Sequence, residues 1–312
     1  LDYLLELSMR IYPLSQLLQR LTSSQCLSAL LGFFFIYLLV GCQQQQVELV
    51  FAGQADQAIV NGREVLPEEK GQGLAFDYVV GLKNNKTESY CSGTLIGRRF
   101  VLTAAHCVQS LNKKSPKDMT VHFGTRIDGD PSGIRVADFR MHPNYIPRDS
   151  SVDWVGDRHD IAVLALEADA PVWAKIANYQ GHPYFYMQEF SYSISGFGRT
   201  QGTASQHDYG ILRTATFDYS DEWLNDNTFL INQKGGRAGI CNGDSGAGAL
   251  VVHKNEMQVF GVVRSVSYQN PPESRKDGKQ PKGLNICNHI GEVVITYHHR
   301  QFVSNAIMVM TR

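Results

Sequence analysis

The sequence predicts an all-β protein, a sandwich or barrel, and three observations predict it. Short runs rich in β-branched and aromatic residues recur along most of the chain. Gly, Pro, Asn and Asp punctuate them, with 28 glycines in 312 residues. Only two segments read as helix. In order, the strand-like runs are YVVGL at 78–82, FVLT at 100–103, MTVHF at 119–123, IAVLAL at 161–166 and FSYSIS at 190–195. ILRTATF at 211–217, ALVVH at 249–253, QVFGVVR at 258–264 and VVITY at 293–297 are further examples. The first helical segment, 221–229, is short and begins with acids; the second, 300–310, has Phe302, Ala306 and Met310 at helical spacing. Residues 109–118, 147–158 and 267–285 are polar and read as surface loops.

Charge excludes some partners. Lys plus Arg is 29 and Asp plus Glu is 30, a net charge of −1. That balance offers no electrostatic footprint for nucleic acid or an anionic membrane surface. With 43% hydrophobic and 19% charged residues, the chain can bury a full globular core.

The first 58 residues differ from the rest. LSALLGFFFIYLLV at 27–40 is an uncharged, largely apolar run, with Arg10 and Arg20 before it. It is short for a membrane span and suits a signal-peptide core. It ends at Leu39-Val40-Gly41-Cys42, which resembles the lipobox of bacterial lipoproteins, so residues 1–41 are expected to be a signal and Cys42 a site of lipid attachment. A plain secretory signal cut elsewhere, or an uncleaved anchor, is the alternative. The chain opens on Leu, and a start at Met9 would leave a more usual signal. Residues 42–58, with four consecutive glutamines, read as a tether or propeptide. Residues 59–312 read as one domain without repeats.

Three motifs carry the chemistry. FVLTAAHC ends a strand-like run in two alanines and His106, small residues that let an imidazole stand against the backbone. HDIAVLAL places Asp160 at the head of an apolar strand, where a buried carboxylate needs a donor; an imidazole N–H serves, and so would backbone amides. ICNGDSGAGAL sets Ser245 among glycines. The chain order is His, Asp, Ser. No G-x-S-x-G elbow surrounds Ser245, which argues against an esterase of the α/β type.

Taken together, AAHC, HDIAVLAL and GDSG resemble the trypsin/chymotrypsin family of serine proteases. IVNG at 59–62, MHPNY at 141–145 and SGFG at 195–198 add to the likeness, which spans most of 59–310. The resemblance implies two six-stranded antiparallel β-barrels with the active site between them, and a C-terminal helix. It implies Ser245 as nucleophile, His106 as general base and acid, and Asp160 as the group that orients His106. The N–H groups of Gly243 and Ser245 would form the oxyanion hole. It implies disulfides Cys91–Cys107 and Cys241–Cys287, in keeping with export to an oxidising compartment.

The resemblance also implies activation by cleavage before Ile59, whose freed ammonium would pair with Asp244. Ala58 precedes that bond, so a trypsin-like activator is not expected. Gly239 matches the floor of the primary specificity pocket and carries no charge; Ile240 is its neighbour. Val266, in VVRSVS, would narrow the pocket to small aliphatic groups. Glu292, if directed inward, would favour basic groups instead, and bulky apolar groups remain a third option. Asp128 and Asp130 lie near a loop that binds calcium in some relatives, but two acids in a turn are commonly solvated. His298 and His299 are adjacent and make no ligand pair with each other on a strand or a helix. The expectation is an exported monomeric endopeptidase acting on proteins or peptides without a cofactor or metal. The alternative is a non-catalytic binding protein on the same fold, kept open by VVRSV and by AGA after the serine motif.

Overall fold

The computed structural model describes residues 59–111, 115–147, 159–181, 191–202, 208–218, 223–225, 227–267 and 285–312. The signal-like run, Cys42, the tether and most of the loops expected at 147–158 and 267–285 lie outside the described residues.

β1 (Arg63–Glu64) belongs to a second sheet, taken up below. The next six strands are β2 (Val79–Asn84), β3 (Ser89–Gly97), β4 (Phe100–Thr103), β5 (Met119–His122), β6 (Ile134–Met141) and β7 (Ala162–Leu166). They close a barrel in the order β2-β3-β4-β7-β6-β5. β7 shows why so apolar a run works here. All five of its residues are buried. Ala162, Leu164 and Leu166 join Leu82, Leu95 and Val101 in one core cluster, while Ile161 and Val163 join a different one with Val303 and Ala306 of the C-terminal helix. A strand covered on both faces needs no polar alternation.

The remaining strands are β8 (Tyr192–Gly196), β9 (Arg213–Phe217), β10 (Trp223–Asn225), β11 (Thr228–Asn232), β12 (Gly248–His253), β13 (Glu256–Ser267) and β14 (Ile290–Ile295). Together with β1 they form an eight-stranded sheet, ordered β1-β9-β8-β12-β13-β14-β11-β10. The closed six-stranded barrel, a second β unit and a single C-terminal helix are as expected; among the described residues the second unit is an eight-stranded sheet whose closure is not seen, where a second six-stranded barrel was expected. The outermost strands have 2 and 3 residues, too short to ladder onto one another, and the described residues show no pairing between them. An aromatic cluster fills the core of this half: Tyr192 stacks on Phe217 at 5.2 Å and meets Phe260 edge-on at 5.4 Å.

Two helix expectations change. Residues 221–229 hold β10 and the start of β11 instead of a helix. β11 pairs antiparallel with β14 and buries Phe229 and Ile231 at 1% exposure each, so sheet pairing overrides a weak helical signal. The C-terminal helix, α1 (Thr296–Met310), begins four residues earlier than its spacing predicted. Thr296 and Tyr297 are β-formers by type, but Thr296 is fully buried and its Oγ1 donates to Val259 O at 2.8 Å, which holds the first turn.

Candidate active site

Register brings the first two motifs together. Thr103 at the end of β4 lies opposite Ala162 at the start of β7. His106 follows β4 on a short 3-10 turn (Ala105–Cys107), and Asp160 precedes β7, so both leave the barrel at the same end. Asp160 Oδ2 lies 2.8 Å from His106 Nδ1, and Asp160 Oδ1 accepts the His106 backbone N–H at 2.9 Å. The carboxylate is buried, its side chain 6% exposed, while the imidazole is 30% exposed. Two bonds from one buried acid fix the ring with Nδ1 inward and Nε2 outward.

Ser245 comes from the other half of the molecule, on the turn before β12. The barrel holds that turn through Ser92 of β3. Ser92 N donates to Ser245 O at 2.8 Å, and Ser92 Oγ donates to Gly243 O at 3.0 Å. Ser92 Oγ also accepts Phe197 N–H at 2.9 Å, and Ser92 O accepts Thr103 Oγ1–H at 2.8 Å. Gly246 has φ of +87°, and a Cβ there would overlap Thr103 Oγ1 and Ser92 O, so only glycine lets the turn sit this close. Gly243 has φ of +97°, and neither its N–H nor that of Ser245 donates a backbone hydrogen bond among the described residues. No hydrogen bond joins Ser245 Oγ to His106 among the described residues, a contact that free sites often complete only when substrate arrives.

A cavity of about 540 Å³ opens beside the serine, lined by Glu88, Tyr90, Tyr209, Asn242, Gly243 and Ser245 among others. Tyr90 and Tyr209 stack at 5.7 Å, and the Arg199 guanidinium lies 4.1 Å from the Tyr209 ring centre. No motif marked these residues in the sequence. Asp128 and Asp130 serve separate partners: Asp128 holds Lys83 and the Tyr90 hydroxyl, Asp130 holds Ser132 and His122. Asp128 thus ties Tyr90 of this rim, while Asp130 braces its own turn against His122.

The residues expected to shape a specificity pocket lie together. Val266 is opposite Gly291 in the β13–β14 ladder, and Val60 bridges to Gly239. Ile240 is fully buried. One residue that sequence reasoning missed, Gln233, occupies the space between the glycines. A Cβ on either Gly239 or Gly291 would run into its side chain. Gln233 is 0% exposed, donates to Ile240 O at 3.0 Å and Cys287 O at 2.6 Å, and accepts Ile240 N–H at 2.9 Å. Glu292 is held elsewhere. Its Oε2 accepts from Ser265 Oγ at 2.9 Å and pairs with Arg264 at 3.2 Å, on a bulge where the β13 register slips. Its charge is already neutralised by Arg264, which weighs against Glu292 as a free anion for a basic substrate group.

Disulfides join Cys91 to Cys107 and Cys241 to Cys287. Cys241 N–H donates to Asp244 Oδ2 at 2.9 Å, and Gly198 N–H donates to Asp244 Oδ1 at 2.8 Å. Asp244 is fully buried, and burial pushes its carboxyl up to about 7 against the pull of those amides and of Arg213. It makes no ion pair within 4.0 Å among the described residues. Ile59 is buried at 1% in the same cluster as Cys241 and Ala247, and its φ is +40°.

A closed barrel and a second sheet with His, Asp and Ser in this chain order between them is the arrangement of the serine-protease class. Residues 65–277 match the trypsin family, and the chain belongs to it. It is similar to the CLIP domain-containing serine protease HP8 of Bombyx mori, 31% identical over 209 residues, covering 56% of this chain and 53% of that protein. It is 28% identical over 214 residues to a chymotrypsin of Phaedon cochleariae, covering 62% of this chain and 69% of that one. Serine protease 1 of Drosophila melanogaster is 28% identical over 190 residues, with 56% and 66% covered. The chain thus spans about half the length of HP8 and about two thirds of the other two. These are insect proteins and lend no support to a bacterial lipoprotein; Cys42 lies outside the described residues.

Proposed function

We propose that residues 59–312 act as a serine endopeptidase on protein or peptide substrates. The observation that carries this reading is the doubly bonded His106–Asp160 pair beside a serine turn locked to the barrel by Ser92. His106 Nε2 takes the Ser245 proton as Oγ attacks the scissile carbonyl, then passes it to the leaving amine. Asp160 keeps the proton on Nδ1 and stabilises the imidazolium. The uncommitted N–H groups of Gly243 and Ser245 receive the oxyanion. A serine-directed phosphonate probe tests this on protein beginning at Ile59. Labelling that disappears in Ser245→Ala is the expected result. Folded, processed protein that takes no label would instead favour a non-catalytic binding protein.

Activation by cleavage before Ile59 fits the strain at that residue. A β-branched residue at positive φ is costly, and the constraint belongs to the peptide bond that cleavage removes. The freed ammonium would supply Asp244 with a cation. Two disulfides suit an oxidising compartment, in line with the apolar run at 27–40 as an export signal. Among the described residues no helix is long and apolar enough to cross a membrane.

Small aliphatic groups before the scissile bond fit best. Gln233 and Ile240 lie against Gly239 and Gly291, and Val266, opposite Gly291 in the ladder, would narrow the wall. Gln233→Ala removes the plug, so the ratio of kcat/KM for Leu over Ala at that position should rise about tenfold or more, the scale of one or two extra methylenes accepted by an apolar pocket. A series of peptide substrates measures it. An unchanged ratio in a variant with parental activity on the Ala substrate would remove Gln233 from specificity.

A further inference from the structure

Three histidines from distant parts of the sequence meet behind the catalytic acid. His142 follows β6, His159 immediately precedes Asp160, and His299 lies in the first turns of α1. Their ligand-capable nitrogens all lie within 4.8 Å of one another. The His142 and His159 rings stack at 4.5 Å, and His299 meets them edge-on at 5.1 and 5.3 Å. His299 is 3% exposed, and the other two are half-buried. His159 is held at φ of +50°, a left-handed conformation that costs energy outside glycine and that keeps its ring in the cluster.

We propose that His142, His159 and His299 form a binding site for a borderline divalent cation, Zn²⁺ foremost. Three imidazoles, with no carboxylate in the cluster among the described residues, suit Zn²⁺, and also Cu²⁺ or Ni²⁺, better than the oxygen-seeking Ca²⁺ and Mg²⁺. Tetrahedral Zn–N bonds of about 2.0–2.1 Å place ligand nitrogens roughly 3.3 Å apart. The His142 and His159 rings lie only 16° from parallel, so aiming both in-plane lone pairs at one ion takes rotation of one ring out of the stack, besides closing gaps of up to about 1.5 Å, and water fills the fourth position. His142 Nδ1 accepts Asn144 N–H at 3.3 Å, a weak contact given up when that ring coordinates. Asp160 is committed to His106 and is not a ligand. The other histidine near sulfur, His106 beside Cys91 and Cys107, offers no thiolate because those cysteines are bonded to each other.

A cation here ties three elements at one point. His142 N–H already donates to Ile161 O at 3.0 Å, and Ile161 N–H to His159 O at 2.8 Å, so the loop after β6 and the strand entry share a frame. The metal adds α1 to that frame. The site therefore stabilises the fold next to Asp160, and it stands independently of whether the serine is catalytic.

The test uses the full chain carrying Ser245→Ala, so that self-digestion does not intervene. Calorimetric titration with ZnCl₂ should show one ion bound per chain, and melting should rise by about 5 °C or more at a hundredfold excess over Kd. His159→Asn, which tolerates the left-handed backbone, His299→Gln and His142→Gln should each weaken binding at least about tenfold, no less than the loss of an outer-shell partner costs in known sites. His106→Ala should bind as the parent does. Co²⁺ titration gives a second readout, since tetrahedral coordination produces intense visible absorption that the three variants should lose. Absence of binding at tens of micromolar free Zn²⁺, or affinity equal to the parent in all three variants, would overturn the proposal.

Discussion

Replacing Asp160 by asparagine should lower kcat/KM about 10⁴-fold, close to 5.5 kcal/mol of transition-state stabilisation, if Asp160 orients His106 as proposed. The fold survives, because an amide of the same shape still accepts the His106 backbone N–H at the position of Oδ1. The tautomer does not survive. With Asp160, both oxygens are acceptors, one for the main chain and one for Nδ1–H, and Nε2 is left as the base. Asparagine turns its NH₂ toward Nδ1, which then accepts, and the ring proton moves to Nε2, the atom that must take a proton from Ser245. Ser245→Ala should lose about 10⁶-fold and leave a residue from the oxyanion N–H groups and substrate binding. Steady-state assays with a peptide of preferred sequence measure both, alongside melting curves. An Asp160→Asn protein of unchanged melting temperature that keeps more than a tenth of parental activity would refute the role given to Asp160.

The second large effect is a change in how stability responds to pH once the chain is cut before Ile59. In the intact chain the Asp244 carboxyl is raised from its ordinary 3.8 to about 7, burial being the main cause. A raised value means the folded state holds the proton more tightly than the unfolded one. The stability linked to this group is complete below about pH 4 and is lost as pH rises through about 7. Over that window the intact chain should lose stability on the order of 4 kcal/mol from Asp244. On the proposed pairing, cleavage would put an ammonium beside the Asp244 carboxyl and pull it downward, and the sign should reverse: stability is then present at neutral pH and lost in acid. Urea unfolding of uncut Ser245→Ala protein and of the same protein beginning at Ile59, at about pH 5 and about pH 8, reads the difference. Parallel pH profiles for the two forms would sink the pairing, as would an Asp244→Asn substitution that leaves the uncut profile unaltered.

The strands were legible where local pattern and tertiary role agreed. FVLT at 100–103 is β4 with the same bounds, and IAVLAL differs from β7 by one residue. β11 was not legible, because its Thr-Phe-Leu-Ile run follows acids that favour a helix start, and only pairing with β14 decides between the two. β3 and β6 are less legible for a related reason. SYCSGTLIG and IRVADFRM mix polar and apolar residues, and their partners in the barrel supply the missing context.

His106, Asp160 and Ser245 stood out by residue type, local setting and order, since each must sit in a constrained neighbourhood that leaves its mark within a few positions: two alanines, an apolar strand, glycines at positive φ. The sequence by itself determined that much, together with the β class; which four cysteines pair was implied by the family resemblance. Only the tertiary structure decided what fills the space between Gly239 and Gly291, where the Glu292 charge goes, and which histidines meet. Gln233, Arg264, His142 and His299 act through partners up to 157 positions away, as His142 and His299 show, and such contacts depend on strand register and on the docking of α1, which no short window of residues records.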